Sequence, residues 1–570
     1  MTRSRTLPRL VPAALILSVA LMACNQQGTT PPAERMNALV LGPVQSAYFD
    51  ALRPSLNLVQ YTGSQNVKDY DVLIFDGDAQ SPQALQADPV VEQAVRAGKW
   101  VLGMDLTEAH KQMGFESRLS AVNGGTSPGW LVRAGSDANG RPAVWMVDAP
   151  KVQASVTPLP PQIEGDAASQ LNANTNAFAN TVMARLRAPL TGVQDTPVPP
   201  DLITATYYVS TSTNYFFKGT YQTGGTQTTN AQYDYIFHVY LDNANNPQGN
   251  FQWVVAETEV AGNPTSGTGN FGNLGANGTE MAWFLDRQTV SLKPSAAFDS
   301  LFTSFGSSPA TANGVSTVTT GTTFTVGYNE AQGFSASYTY SNSQTRPLQD
   351  WKLSNESSGN AFAWYYRSNN PLDADSPSNY QCPKGSDCSP AWITDGIGAI
   401  PNRPNPIAIS QLQLHTQAVW KTNSVLTDKV TFELGGNQGT VDLYGGLYGG
   451  GGSIRQDISL NGNTLTINMA CVVPIPLTLT FDPPSVTAGL PVTGTITLAS
   501  PAVVDTTILL QSSDPVHAPV DSKVVIPRNQ TSAKFVIRTD PSGAPRGSVF
   551  KPTIRAFYGG FTDAQLTITY

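Results

Sequence analysis

Residues 314–346 read GVSTVTTGTTFTVGYNEAQGFSASYTYSNSQTR, and the architecture turns on this stretch. In its first half Phe324, Val326 and Tyr328 alternate with Thr323, Thr325 and Gly327. In its second half Phe334, Ala336, Tyr338 and Tyr340 alternate with Ser335, Ser337, Thr339 and Ser341. Successive side chains of a strand point to opposite faces, so each segment has one apolar or aromatic face and one hydroxyl face. The polar, glycine-containing turn Asn329–Gly333 has the composition of a hairpin connection. Such a ribbon can cover a core, pair with copies of itself, or line a barrel whose outside meets lipid. Alternation alone is equally the mark of an ordinary hairpin in a soluble sheet. The apolar-alternating arms hold about seven to nine residues, against the roughly 9–11 that a membrane-crossing strand needs.

The surroundings of the ribbon are β-rich. The chain has 570 residues, enough for about three or four domains, with 40% hydrophobic and only 13% charged residues and with 49 Gly and 42 Pro. Few charges and many β-formers and turn-formers favour strands over helices. The net charge of −8 is spread thinly, and beyond the N-terminus no Lys/Arg cluster occurs, which argues against a nucleic-acid partner.

Within residues 203–473 the alternating runs include ITATYYVSTSTNYFFKGTY, YDYIFHVYLD, NFQWVVAETEV, TEMAWFLDRQTVSL, AISQLQLHTQAVWKT and KVTFELG, besides the ribbon. Strands of this number and spacing predict a large β-sandwich or barrel. After the ribbon's FSASYTYSNSQTR come Asp350-Trp351-Lys352 and then Asn360-Ala361-Phe362-Ala363-Trp364. This order of features resembles the leukocidin/haemolysin family of β-barrel pore-forming toxins, over roughly 250 residues. The resemblance implies a ring of protomers, each lending the 314–346 hairpin to a shared barrel. Phe324, Val326, Tyr328, Phe334, Ala336, Tyr338 and Tyr340 would then face the membrane lipid, and Thr323, Thr325, Ser335, Ser337 and Thr339 the lumen. The aromatic membrane-contacting segment of that family has no counterpart in SNNPLDADSPSNYQ.

Residues 36–150 have another rhythm. MNALVLG, LNLVQYTG, YDVLIFDGDA, KWVLGMDLT and RPAVWMVDA read as strands, with SAYFDALRPSL and PQALQADPVVEQAVRAG as helices between them. Alternating strands and helices predict a doubly wound α/β domain, here similar in pattern to the flavodoxin-like layer of glutamine amidotransferase domains. Those enzymes carry a nucleophilic Cys where this chain has Gly103-Met104-Asp105, so their chemistry is not implied. Asp76, Asp78 and Asp105 at strand ends offer oxygen ligands to a cation; acids there also simply end strands and cap helices. No G-x-G-x-x-G follows the first strand, which argues against a dinucleotide. The segment 151–202 is a Pro-rich linker around one helix, roughly Ala167–Arg187, with Leu171, Phe178, Val182 and Leu186 near one face.

The ends of the chain complete the expectation. From residue 474 to 570, seven short runs such as GLPVTGTITL and TSAKFVIRT have the count and spacing of an immunoglobulin-like sandwich and resemble bacterial Ig-like surface domains. At the other end Arg3, Arg5 and Arg9 precede a short apolar core, Leu10–Leu21, which reads as an export signal. Leu21-Met22-Ala23-Cys24 resembles a bacterial lipobox; that implies removal of 1–23, lipid on Cys24, and a tether over 24–35. A plain signal peptide is the other reading. No other stretch is long and apolar enough for a transmembrane helix. Cys382 and Cys388 bracket CPKGSDC, where an exported protein is expected to form a local disulfide; zinc would lack a nearby His or second Cys pair. Cys471 in TINMACVV reads as a buried thiol. His110, His238, His415 and His517 are scattered, and neither catalytic spacings nor the lysine of a phosphate loop beside the glycine run 445–453 are found.

The expectation is therefore a multidomain, non-enzymatic protein of the bacterial cell envelope, lipid-anchored through Cys24, with no cofactor and no metal. Its partners would be membrane lipid and either copies of itself or other envelope proteins, and a structural or adhesive module without a pore is the rival reading.

Overall fold

In a computed structural model the described residues are 35–125, 127–136, 142–149, 167–187, 203–218, 226–242, 251–264, 279–312, 317–320, 323–328, 336–341, 344–347, 351–368, 412–445, 452–460, 463–469, 477–499, 501–502, 506–527, 530–542, 544–558 and 560–570. Cys24, Cys382, Cys388 and Cys471, and the hairpin turn with Phe334, lie outside them. Met36–Tyr570 form one compact unit.

The chain begins with parallel strands and crossing helices. Strands β1 (Met36–Leu41), β2 (Leu56–Gln60), β3 (Val72–Asp76) and β4 (Trp100–Leu106) pair in the order β2-β1-β3-β4, all parallel. Between them run α1 (Ala47–Leu52), α2 (Pro82–Ala87) and α3 (Pro89–Arg96), with α4 (Glu108–Leu119) after β4. PQALQADPVVEQAVRAG, one helix by pattern, is two. Proline disfavours helical backbone in the residue before it, and Asp88 (ψ 120) accordingly ends α2 while its carboxylate accepts from Val90 N to start α3. Gly98 follows α3 with φ +63, a value glycine adopts without a Cβ penalty. In α4 the capping box uses a histidine: Thr107 N donates to His110 Nδ1 at 3.1 Å.

The parallel run ends at β4. Strands β5 (Ala121–Asn123), β6 (Ser127–Ser136) and β7 (Pro142–Asp148) follow, then α5 (Ala167–Arg187), β8 (Ile203–Lys218), β9 (Thr226–Asp242) and β10 (Phe251–Pro264). Next come β11 (Thr279–Pro294), β12 (Phe302–Ser308), the ribbon strands β13 (Thr317–Thr320), β14 (Thr323–Tyr328), β15 (Ala336–Ser341) and β16 (Gln344–Pro347), then β17 (Trp351–Asn355) and β18 (Phe362–Ser368). After these lie β19 (Leu412–Thr422), β20 (Lys429–Gly445), β21 (Gly452–Ser459) and β22 (Asn463–Asn468). One sheet of 11 strands runs β12-β19-β10-β9-β8-β7-β6-β4-β3-β1-β2, so the α/β segment and the β segment that the Pro-rich linker separates in sequence share a single sheet. A second sheet of 7 strands runs β17-β18-β11-β20-β22-β5, with β21 on β20. β5, from the α/β segment, thus pairs with β22 near the far end of the β segment.

The two faces of the large sheet are unlike. Its inner face packs on the second sheet and on α2–α4 through one continuous cluster that includes Phe75, Phe115, Trp130, Tyr207, Tyr235, Phe237, Trp364, Trp420 and Phe432. Each large apolar side chain buried there contributes about 1.5–3 kcal/mol. The outer face is covered at its parallel end by α1 and α5, where Phe178, Val182 and Leu186 meet Val40, Ile74 and Leu102. The helix spans the residues its pattern predicts. The last ninety-odd residues form separate small sheets, among them 477–482, 491–498 and 532–538 in one and 523–526, 506–512, 553–558 and 560–565 in another, around a core of their own.

A buried ion pair clasps the first half together. Lys111 Nζ on α4 donates to Asp148 Oδ1 at the end of β7 at 2.8 Å, and both side chains are almost wholly buried. Asn123 of β5 donates to the other oxygen of Asp148, Trp130 Nε1 donates to Asn123 Oδ1 at 2.6 Å, and the ammonium lies 5.5 Å from the Trp130 ring centre. Removing one partner of such a pair strands the other charge. Lys111→Ala is expected to destabilise the protein by about 3–5 kcal/mol, read as a lower denaturation midpoint, whereas the exposed Arg53–Asp50 pair, opened by Arg53→Ala, is expected to change it by less than about 1 kcal/mol.

Candidate functional site

The ribbon is longer than its apolar pattern. β14 and β15 pair with Phe324 opposite Tyr340, Val326 opposite Tyr338 and Tyr328 opposite Ala336, while Thr325 meets Thr339. β13 and β16 pair with Thr317 opposite Pro347 and Thr320 opposite Gln344. From the Thr320–Gln344 pair to the Thr323–Ser341 pair each arm advances three positions, so the two paired stretches share one register. They hold four pairs, Thr317–Thr320 with Gln344–Pro347, and six pairs, Thr323–Tyr328 with Ala336–Ser341. The first of them lies beyond the apolar row, because Thr320 and Gln344 pair without extending that row.

This ribbon lies on the outer face of the large sheet, β14 against β9 and β13 and β16 against β19. Thr320 is fully buried, and its hydroxyl donates to the His415 carbonyl at 2.8 Å, whereas Thr319 is exposed.

What lies beneath is polar. Cross-strand neighbours can be followed along two rows. One runs Arg133–Trp145–Tyr208–Ile236–Glu257–Gln417, the next Leu131–Val147–Ser210–Asp234–Glu259–His415. Under the helices these rows are apolar or aromatic; toward β10 and β19 they become acid, amide and imidazole. Glu257, His415 and Gln417 are all buried. Gln417 Nε2 donates to Glu257 Oε1 at 3.1 Å, and His415 Nε2 stands 3.6 Å from Glu257 Oε2, with no hydrogen bond on either ring nitrogen. His415, one of the four histidines scattered in the sequence, is buried in this group. Glu257, Glu259 and Gln417 were not singled out by sequence, although Glu-x-Glu in VVAETEV and His-x-Gln in LQLHTQAVW put polar residues on alternate positions of otherwise apolar strands.

The three aspartates do meet. Ligand oxygens of Asp76, Asp78 and Asp105 lie within 4.8 Å of one another at the carboxyl ends of β3 and β4. Three carboxylates can supply hard oxygen ligands, yet both oxygens of the buried Asp76 are already engaged, by Gln45 N at 3.0 Å and Asp78 N at 2.9 Å. That is the loop-tying role acids often take at strand ends. Asp105 has φ +49. Burial, with the neighbouring charges of Asp76 and Asp78, holds its pKa above the usual carboxylate value against a hydrogen bond from Ser46. The other histidines have plain partners: His238 Nδ1 meets Thr206 Oγ1 at 3.0 Å, and His517 Nδ1 meets Asp514 Oδ2 at 2.6 Å.

No family model matches the chain, and no curated protein matches it. Solved structures do. The Clostridium perfringens delta-toxin is similar at 10% identity and a TM-score of 0.26, over 45% of this chain and 94% of the toxin. A structure described as a pore forming protein is similar at 10% identity and 0.26, over 46% and 92%. The C. perfringens NetB toxin in its membrane-inserted form is similar at 8% identity and 0.23, over 46% and 96%. At this level of likeness the function has to be argued from this chain's own geometry.

Asp105 gives a pH signature. Its folded pKa is raised, so its ionised form costs stability at neutral pH, and that cost fades as pH falls through the raised value. Asp105→Asn, which also suits a positive φ, is expected to raise the melting temperature by a few degrees at neutral pH. Below the ordinary carboxylate range the difference should vanish; an unchanged difference there would contradict the assignment.

Proposed function

We propose that this is a non-enzymatic, exported protein of the cell envelope that works at a membrane by releasing the 317–347 ribbon from its sheet, the ribbons of several copies combining into a β-barrel. The observation that carries this reading is the ribbon itself: two paired stretches in one register, with an apolar row opposite an apolar row, lying against β9 and β19 of the face on which Glu257, His415 and Gln417 are buried. With 321–322 and 342–343 drawn into the strands on release, each arm would hold twelve residues, sufficient to cross a hydrocarbon core of about 30 Å. A segment destined to stay would be expected on an apolar bed, as on the inner face. Buried carboxylate and imidazole groups gain hydration when uncovered, so this seat favours a reversible contact.

On release, the row of Phe324, Val326, Tyr328, Ala336, Tyr338 and Tyr340 would face lipid, with the threonine and serine row on the lumen. Lipid on Cys24 would hold the protein at the membrane surface, and the C-terminal sheets, Ig-like by their sequence pattern, would act as a spacer or adhesive module. Among the described residues no helix is long and apolar enough to cross a membrane, so in this reading crossing falls to strands. A non-pore scaffold is favoured by one feature, the union of the α/β segment and the β segment in a single sheet, which makes a stiff platform.

The test is dye release from liposomes, with oligomers examined by electron microscopy. Wild-type protein is expected to release dye and form rings, and Tyr338→Asp to abolish both. A Thr320→Cys/His415→Cys pair is expected to be silent when oxidised and active after reduction, because the cross-link would hold the ribbon on β19. Release by the oxidised pair, or none by the wild type in any lipid composition, would sink the reading.

A further inference from the structure

Between α5 and the polar floor the outer face has a recess that neither the ribbon nor the helices account for. It is lined by Trp100, Trp145, Tyr208 and Ile236 on one side and by Arg185, Ser210 and Asp234 on the other, with a free volume of about 40 Å³. The aromatic wall is a consequence of register. Trp145 is the cross-strand neighbour of Tyr208, and Tyr208 of Ile236. The Trp145 and Tyr208 rings are parallel to within 3°, with centroids 5.4 Å apart. The Arg133 guanidinium, 5.8 Å from the Trp100 ring centre, joins the same row from β6.

The polar wall is equally specific. Arg185 Nη2, reaching from the last turn of α5, donates to Asp234 Oδ1 at 3.1 Å and to Ser210 Oγ at 3.3 Å. The second oxygen of Asp234 accepts from Gln232 Nε2 at 2.7 Å. Arg185 and Asp234 are each partly exposed, with side chains 35% and 24% accessible, so a ligand can reach both. A guanidinium has five donors and a carboxylate about four acceptor sites, and this pair uses only part of that capacity. Donors and acceptors therefore stand side by side, their formal charges cancelled, next to flat carbon-rich rings.

We propose that this recess is a carbohydrate subsite, taking one edge of a neutral sugar ring from the end of a glycan. Vicinal hydroxyls match the donor-acceptor pair of Arg185 and Asp234, and the C–H bonds of the same ring edge match the small part of the otherwise buried Trp145 and Tyr208 that lines the recess. The free volume is that of a few water molecules, so a ring edge enters and a whole disaccharide does not. The charges choose among aromatic-loving ligands. A quaternary ammonium would meet Arg185, and an anion would meet Asp234; a neutral polyol meets neither penalty. The site is independent of ribbon release.

The experiment uses the full chain titrated with the methyl glycosides of glucose, galactose, mannose and N-acetylglucosamine, followed by tryptophan fluorescence and by saturation-transfer NMR. At least one glycoside is expected to saturate with a Kd on the order of 1 mM and to receive saturation from aromatic protons. Asp234→Asn and Arg185→Leu are each expected to weaken it by about tenfold with an unchanged near-ultraviolet circular dichroism spectrum. Should either variant fail to fold, 5-fluorotryptophan in the wild-type protein decides the matter: two of its fluorine resonances, assigned by Trp100→Phe and Trp145→Phe, must shift with the sugar. The proposal is overturned if no glycoside saturates, if phosphocholine saturates in their place, if the folded variants bind like wild type, or if only other tryptophans respond.

Discussion

Everything in this protein hangs on one sheet with two unlike faces. Strand alternation sends odd and even residues to opposite sides, and over eleven strands the two sides receive different chemistry. The inner side collects aromatic and branched residues from both halves of the chain into one core. The outer side is apolar only where α1 and α5 cover it, aromatic in the middle, and polar toward β19. Burial of apolar area decides which contacts are permanent, at about 25 cal/mol per Å², while a buried glutamate beside an imidazole brings a desolvation cost that offsets much of its contact energy. The second sheet is thereby bound to the inner face through that core, while the outer face toward β19 stays polar.

The same sheet explains why the α/β segment belongs to the rest. β4 meets β6 antiparallel, β6 meets β7, and β7 meets β8 across the linker in sequence. β5 reaches over to the second sheet and pairs with β22. The clasp of Lys111, Asp148, Asn123 and Trp130 closes the gap left where the chain passes from one sheet to the other. It is well satisfied, as a buried polar group must be, and it ties α4, β5, β6 and β7 to one another.

Much was legible in particular residues. Phe178, Val182 and Leu186 mark the buried stripe of α5 because they recur near a helical period, and Phe324, Val326 and Tyr328 mark a ribbon because they recur at every second position. Ser81-Pro82 and Asp88-Pro89 mark helix starts by capping chemistry, although the second pair was hidden inside what reads as one helix. Other residues were opaque for an equally physical reason. Thr320 looks like one more threonine of a low-complexity run until its hydroxyl meets the His415 carbonyl. Arg185 and Asp234 stand far apart in sequence, and Trp145 and Tyr208 are separated by the linker and α5; no periodicity links them.

The sequence by itself determined what is local: strand and helix periods, the alternating ribbon, the caps, the low charge, and the basic and apolar run before Cys24. These depend on neighbours one to four residues away, and residue type is sufficient to specify them. Tertiary structure alone decided that two segments share a sheet, that the ribbon's two paired stretches keep one register, and that Glu257, His415 and Gln417 are buried on one face. It also decided which aromatic rings stand beside the Arg185–Asp234 pair. Each of these is a matter of register between strands distant in the chain, and register is set by how whole faces bury together, a property that no single stretch of sequence contains.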